Sequence, residues 1–193
     1  MPQPRTPATT LPWPTIPSPT SPLSLTQISP GISIIDSLFS PKTLQSFISF
    51  LSTSSQITWV SPTLPKKGEA TRTNHRFSIQ DPNFARELWE TSGLRDVCER
   101  DGLEGKSGRK PVGLNKNIRC YRYEKGSFFG RMSSSLLLTL ACKAGVERCY
   151  ETTAHYDDDF FDPETGATSE WTLLIYLSGK ENGVVGALDC FPP

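Results

Sequence analysis

The chain has 193 residues, enough for one domain around one buried core. Lys+Arg and Asp+Glu both number 20, so the net charge is zero and no global field draws the protein to nucleic acid or an anionic membrane. An apolar content of 36% is low for a compact domain and implies that part of the chain stays unfolded.

Residues 1–30 carry nine of the 17 prolines, many Ser and Thr, and a single charge, Arg5. Too little apolar surface stands there to offset the ordering entropy, and the expectation is a disordered tail. Folded sequence is expected from Gly31. Ile34, Ile35, Leu38 and Phe39 precede Ser40-Pro41, a cap followed by proline at the first helical position. Leu44, Phe47, Ile48 and Leu51 then recur at helical spacing. Trp59-Val60 reads as a short strand before a turn at 62–68. Asp81-Pro82 opens a second helix, with Phe84, Ala85, Leu88 and Trp89 on one face. Residues 101–116, rich in Gly and Lys, read as a loop. Two strands follow, Asn117–Tyr123 and Trp171–Leu177, both aromatic or β-branched and closed by glycine. In the second, alternation puts Leu174 and Tyr176 on one face and Trp171, Leu173 and Ile175 on the other. The fold class is therefore α+β, two helices packed on a sheet that carries any chemistry.

The five cysteines are odd in number and form no CxxC pair, which argues against a disulfide framework and a thiolate zinc site. A reducing compartment, cytoplasmic or nuclear, is the expectation. No apolar run approaches the roughly 20 residues of a membrane helix, and no apolar leader follows a basic start.

His155-Tyr156-Asp157 is the constellation with chemical content. Residues i and i+2 of an extended segment point to one side, so one imidazole and one carboxylate can meet one metal ion. A second histidine would complete a facial triad of the kind that leaves open positions on iron(II).

The flanking motifs give this tripeptide a context. Tyr123 stands three residues before Gly126-Ser127-Phe128-Phe129, and His155-x-Asp157 comes after it. Then follows Thr172-Leu173-Leu174-Ile175-Tyr176-Leu177. This order resembles the prolyl 4-hydroxylase-like branch of the iron(II)/2-oxoglutarate dioxygenases. Gly68–Phe77, Asp81-Pro82 and Leu88-Trp89 resemble the helical preface of a soluble branch of that family. The resemblance implies a double-stranded β-helix (jelly roll), of which residues 31–193 hold an incomplete copy. It implies His155 and Asp157 as iron ligands, and Tyr123 and Tyr176 as hydrogen-bond donors to the 2-oxoglutarate carboxylates. It also implies O2 and ascorbate as participants, and hydroxylation of a peptide or small-molecule substrate.

Three departures from the family pattern stand beside the matches. Residues 131–154 interrupt the usual short path from the Gly-x-x-Phe turn to HxD, and a retained intron or gene-model error is the expected cause. The family's distal histidine and its basic partner for 2-oxoglutarate have no match through Pro193. His75 is the single other histidine, and it sits in the preface motif. Gly186–Phe191 departs from the family's G-G-E-T-x-F. Impaired turnover is therefore expected, and the alternative class is a non-catalytic fragment or interaction protein whose proline-rich tail docks on partners. The acidic run Asp157-Asp158-Asp159 lacks the spacing of a calcium loop. Cys142 and Cys149 have no neighbouring base that would activate a thiol.

Overall fold

A computed structural model of the chain describes residues 10–29, 31–63, 71–105, 107–124, 129–130, 160–163 and 165–178. Its described elements are mixed α and β. They run β1 (Leu25–Ser29), β2 (Ile32–Ile35), α1 (Pro41–Thr53), β3 (Thr71–Arg72), β4 (His75–Gln80), α2 (Pro82–Thr91), α3 (Leu94–Arg100), β5 (Asn117–Arg122) and β6 (Phe129–Gly130). β1 pairs antiparallel with β2 and β3 antiparallel with β6, while β4 pairs with β5. The chain divides into two compact units.

Unit 1 comprises Met1–Ile57, Ser78–Arg119 and Asp157–Leu177. Two of its helices, α1 and α2, start where the sequence places caps. The Ser40 hydroxyl accepts from the Thr43 N–H at 3.2 Å, with Pro41 at the first position of α1. Asp81 Oδ1 accepts from the Phe84 N–H at 3.0 Å, with Pro82 at the first position of α2. Both caps satisfy an N–H that has no partner within its helix. Phe84, Ala85, Leu88 and Trp89 are all buried, so the apolar face of α2 is the one its periodicity marks. Phe84, Leu88 and Trp89 join Phe39, Phe47, Leu94, Val97 and Cys98 in one core, with Val97 fully inaccessible.

That core has a further wall, and here the expectation of a disordered tail is corrected for the described residues 10–29. Leu11, Ile16 and Leu23 are buried, and Trp13 packs against the cluster. The Trp13 ring stacks on Phe84 with centroids 4.3 Å apart, and its Nε1–H donates to Asp81 Oδ2 at 2.9 Å. Asp81 is 1% exposed, so one carboxylate caps α2 and holds the strap. The segment runs over Gly93, whose φ of +83° lets the chain turn from α2 into α3; a Cβ there would meet Pro19 Cγ at 2.8 Å. The physical reason for the miss is that prolines forgo hydrogen bonds anyway, so an extended strap needs few partners once three or four large apolar side chains find a core.

A second correction concerns residues 171–177. They form no ladder, and the chain there has no regular structure. The alternation survives in burial only from Leu174 on: Leu174 and Tyr176 are exposed, Ile175 and Leu177 pack on the core, and Leu173, expected on the face of Ile175, is exposed. The segment is preceded by a small turn in which the Phe160 and Thr168 neighbourhoods pair. Ser169 N–H donates to Phe160 O at 2.8 Å, and Phe161 bridges Thr168.

Unit 2 comprises Thr58–Phe77, Cys120–Tyr156 and Ser178–Pro193. Trp59-Val60 makes one isolated antiparallel bridge rather than a strand: Val60 and Arg76 exchange backbone bonds of 2.8 and 3.0 Å. The β3–β6 pair places Thr71 opposite Gly130 and Arg72 opposite Phe129. Of the jelly roll, the described residues show the α+β composition and these short pairings only. Among them, no helix is long and apolar enough to cross a membrane.

Candidate functional site

Four of the residues that carry the expected chemistry fall in different places. His155 and Asp157 lie outside the described residues, as does the whole interruption 131–154. Tyr123 directly follows β5 in unit 2 and is 46% exposed. Tyr176 lies in unit 1, 50% exposed, on the irregular segment after Trp171. Each phenol thus keeps its ring partly in solvent, and the dry setting that would sharpen a carboxylate contact is not built from the described residues.

Within unit 2, a polar and aromatic cluster forms around the residue that opens β4. His75 Nε2 is 3.4 Å from Glu124 Oε1, and the same oxygen is 3.9 Å from an Arg122 guanidinium nitrogen. The Arg122 guanidinium carbon sits 5.0 Å from the centroid of the Trp59 ring, and Trp59 lies 6.3 Å from Phe77. Strand geometry accounts for part of the gathering: β4 delivers His75 and Phe77 to one side, and β5 ends at Arg122, with Glu124 two residues beyond it. A cation over an aromatic face and a carboxylate beside an imidazole are both favourable, yet Arg122 and Glu124 are exposed enough for water to weaken them. The sequence places His75 in a preface to the sheet; the structure puts it on a strand and next to a carboxylate. Among the described residues, no group of three His, Cys, Asp or Glu side chains could hold a metal ion.

The described cysteines are chemically quiet. Burial pushes the Cys120 thiol up to about 11. Burial, then the charges of Asp101 and Glu99, raise that of Cys98. Both stay protonated at neutral pH, the opposite of what a nucleophile or a metal thiolate requires.

Sequence reasoning missed two polar contacts of unit 1. One is the Trp13–Asp81 bond across 68 residues, for which Asp81-Pro82 signals the cap but nothing signals the strap. The other joins Ser107 to Glu170 across 63 residues, where the Ser107 N–H donates to Glu170 Oε2 at 2.9 Å. Contacts at such separation leave no periodic trace in a single sequence.

Compared with known proteins, the chain matches no family model, no curated protein and no solved structure.

Proposed function

We propose that the chain is an iron(II)- and 2-oxoglutarate-dependent dioxygenase of the prolyl 4-hydroxylase-like kind, with low turnover. The observation that carries this reading is the order of its motifs: Tyr123 ahead of Gly126-x-x-Phe129, then His155-x-Asp157, then Thr172-x-x-x-Tyr176-Leu177. Each motif is weak alone, and their joint order is what argues for a shared origin. The α+β composition, with capped helices ahead of the strand that Tyr123 directly follows, is compatible with it.

The described residues do not form an iron site, so the metal rests on His155 and Asp157. When bound, iron and 2-oxoglutarate supply the oxidation: 2-oxoglutarate and O2 give succinate and carbon dioxide as a C–H bond is hydroxylated. Ascorbate would maintain the reduced metal. The chain's own part is to bind and orient. Tyr123 and Tyr176 carry the phenol donors that would bind a carboxylate, and His75, held beside Glu124, is a second imidazole able to carry a proton. Fold does not set the substrate, and a peptide side chain or a small molecule both fit this reading.

The test is succinate release from 2-oxoglutarate with iron(II) and ascorbate, run on the chain as written and on a variant lacking residues 131–154. The variant is expected to exceed the parent, since loss of outer-shell support of metal ligands typically costs about 10- to 100-fold. His155→Ala in the variant should abolish the gain. No iron-dependent binding of 2-oxoglutarate by either protein, measured by titration calorimetry, would overturn the reading.

A further inference from the structure

The loop after α3 is built as a clasp. Leu103 N–H donates to Cys98 O at 3.0 Å and ties the loop to α3, while Gly105 N–H donates to Arg109 O at 2.9 Å and Gly108 N–H to Gly105 O at 2.9 Å, so Gly105 is bonded to both Gly108 and Arg109. Into this loop goes the Glu170 side chain. Ser107 holds it twice, by its N–H at 2.9 Å and by its hydroxyl on Oε1. Gly105 is required beneath it, because a Cβ there would collide with the Glu170 carboxylate. The next residue closes the grip: the Trp171 indole N–H donates to Glu104 O at 3.2 Å. All these residues belong to unit 1. The clasp thus fixes the start of the segment that leads to Ile175, Tyr176 and Leu177.

Ser107 is exposed at the tip of this loop, in the run Lys106-Ser107-Gly108-Arg109-Lys110. Arg109 and Lys110 are exposed too. An exposed hydroxyl followed by glycine, with Lys106 before it and Arg109 and Lys110 after it in the sequence, has the chemistry that a basophilic protein kinase reads: an accessible serine with cations to meet acidic groups of the enzyme.

We propose that Ser107 is a phosphorylation site and that its phosphate opens the clasp on Glu170. The kinase transfers the γ-phosphoryl group of ATP. An O–P bond forms at Ser107 Oγ, the bond to the β-phosphate oxygen breaks, the hydroxyl proton passes to solvent, and ADP leaves. The product replaces a hydrogen-bond donor by a group of charge about −1.5 to −2. That group faces the Glu170 carboxylate where the hydroxyl donated before. Like charges at contact distance in a clasp lined by Gly105 leave no favourable arrangement with both in place, so Glu170 and Trp171 let go. Arg109 and Lys110 stand within a few residues to receive the phosphate instead. The inference stands independently of the dioxygenase reading and touches it only through Tyr176, whose segment the clasp holds.

The experiment uses the full chain, Mg-ATP and a purified kinase that prefers basic residues after the serine. Peptide mass spectrometry locates the phosphate, and the Trp171 indole N–H resonance, assigned by its loss in Trp171→Phe, reports the clasp. Phosphate at Ser107 is expected, with the Trp171 resonance moving to the position it takes in Ser107→Asp. Glu170→Gln removes the repulsion, so phosphorylation of that variant should move the resonance less than in the parent. Absence of phosphate from Ser107 overturns the proposal. So does phosphate at Ser107 with the Trp171 resonance unmoved. Ser107→Ala checks that the signal comes from this site, and its far-UV circular dichroism checks that the chain stays folded.

Discussion

Unit 1 and unit 2 are held together by different physics. In unit 1, α1, α2, α3 and the proline-rich strap bury large apolar side chains, among them Trp89 at 5% exposure and Val97 at 0%. In unit 2, the described contacts include the β3–β6 pairing, the Val60–Arg76 bridge and a cluster in which His75, Glu124, Arg122 and Trp59 meet near the surface. Burial is proportional to area and indifferent to detail, whereas an exposed charge pair competes with water and salt. The comparison teaches where stability and chemistry reside: the helical unit sets whether the chain folds, and the strand-end cluster is free to carry polar groups that contribute little to folding.

Truncating the core is the strongest way to break that contrast. Trp89→Ala is expected to destabilise the chain by about 3–5 kcal/mol, through lost transfer energy and the cavity left in the α2 face. Trp59→Ala in unit 2 should cost about 1 kcal/mol, because Trp59 is only half-buried and stacks with an exposed guanidinium. Urea unfolding of both variants decides it. Equal midpoints would show that the two units are equally dependent on aromatic burial.

Alkaline pH gives a second handle, this time on unit 2. The Cys120 thiol titrates at about 11 in the folded chain against an ordinary value of 9.0, because burial disfavours its thiolate. The unfolded chain therefore loses this proton first. Between pH 9 and 11 the native state binds more protons, so stability falls as pH rises through that window and is unaffected below it. The loss is on the order of 2–3 kcal/mol. Cys120→Ala should flatten this part of the stability–pH curve relative to the parent. A parallel curve for the variant would mean that Cys120 is hydrated.

The strap sharpens the comparison from the other side. Trp13→Phe keeps the stack on Phe84 and removes the indole donor, which leaves Asp81 Oδ2 without that bond in a buried position. About 1–2 kcal/mol should be lost in urea unfolding. Amide exchange should show residues in β1 protected in the parent, where Leu25 pairs with Ile35 and its N–H donates to Asp101. An unprotected β1 and an unchanged midpoint in Trp13→Phe would return the segment to a disordered tail.

How far the sequence discloses this molecule depends on whether a feature is local. Ser40-Pro41 and Asp81-Pro82 disclose their helices because a cap acts within three residues. The apolar face of α2 is legible because periodicity repeats within one element. β5 is legible from its aromatic and β-branched run. The strap is not, since its prolines and hydroxyls have the composition of disorder and its four apolar anchors are scattered. Trp171–Leu177 has strand composition but meets no partner strand, so propensity alone overstates it. Of the candidate site, Tyr123 and Tyr176 are legible by motif, and their half-exposed settings are not. The Glu124 partner of His75 was invisible, because 49 positions separate the two and no pattern within either strand points across.

The smallest effect belongs to the cluster itself. Glu124→Gln removes the charge beside His75 and Arg122 while retaining shape and one oxygen acceptor. Glu124 is 64% exposed in its side chain, so the two pairs it makes are weakened by solvent. Exposed pairs of this kind contribute about 0–1 kcal/mol, and the variant is expected to unfold within that range of the parent at low salt. At 1 M salt the difference should vanish, because the screening length falls to about 3 Å. A loss of several kcal/mol in Glu124→Gln would instead make the cluster part of the folding core, and the division of labour between the two units would fail.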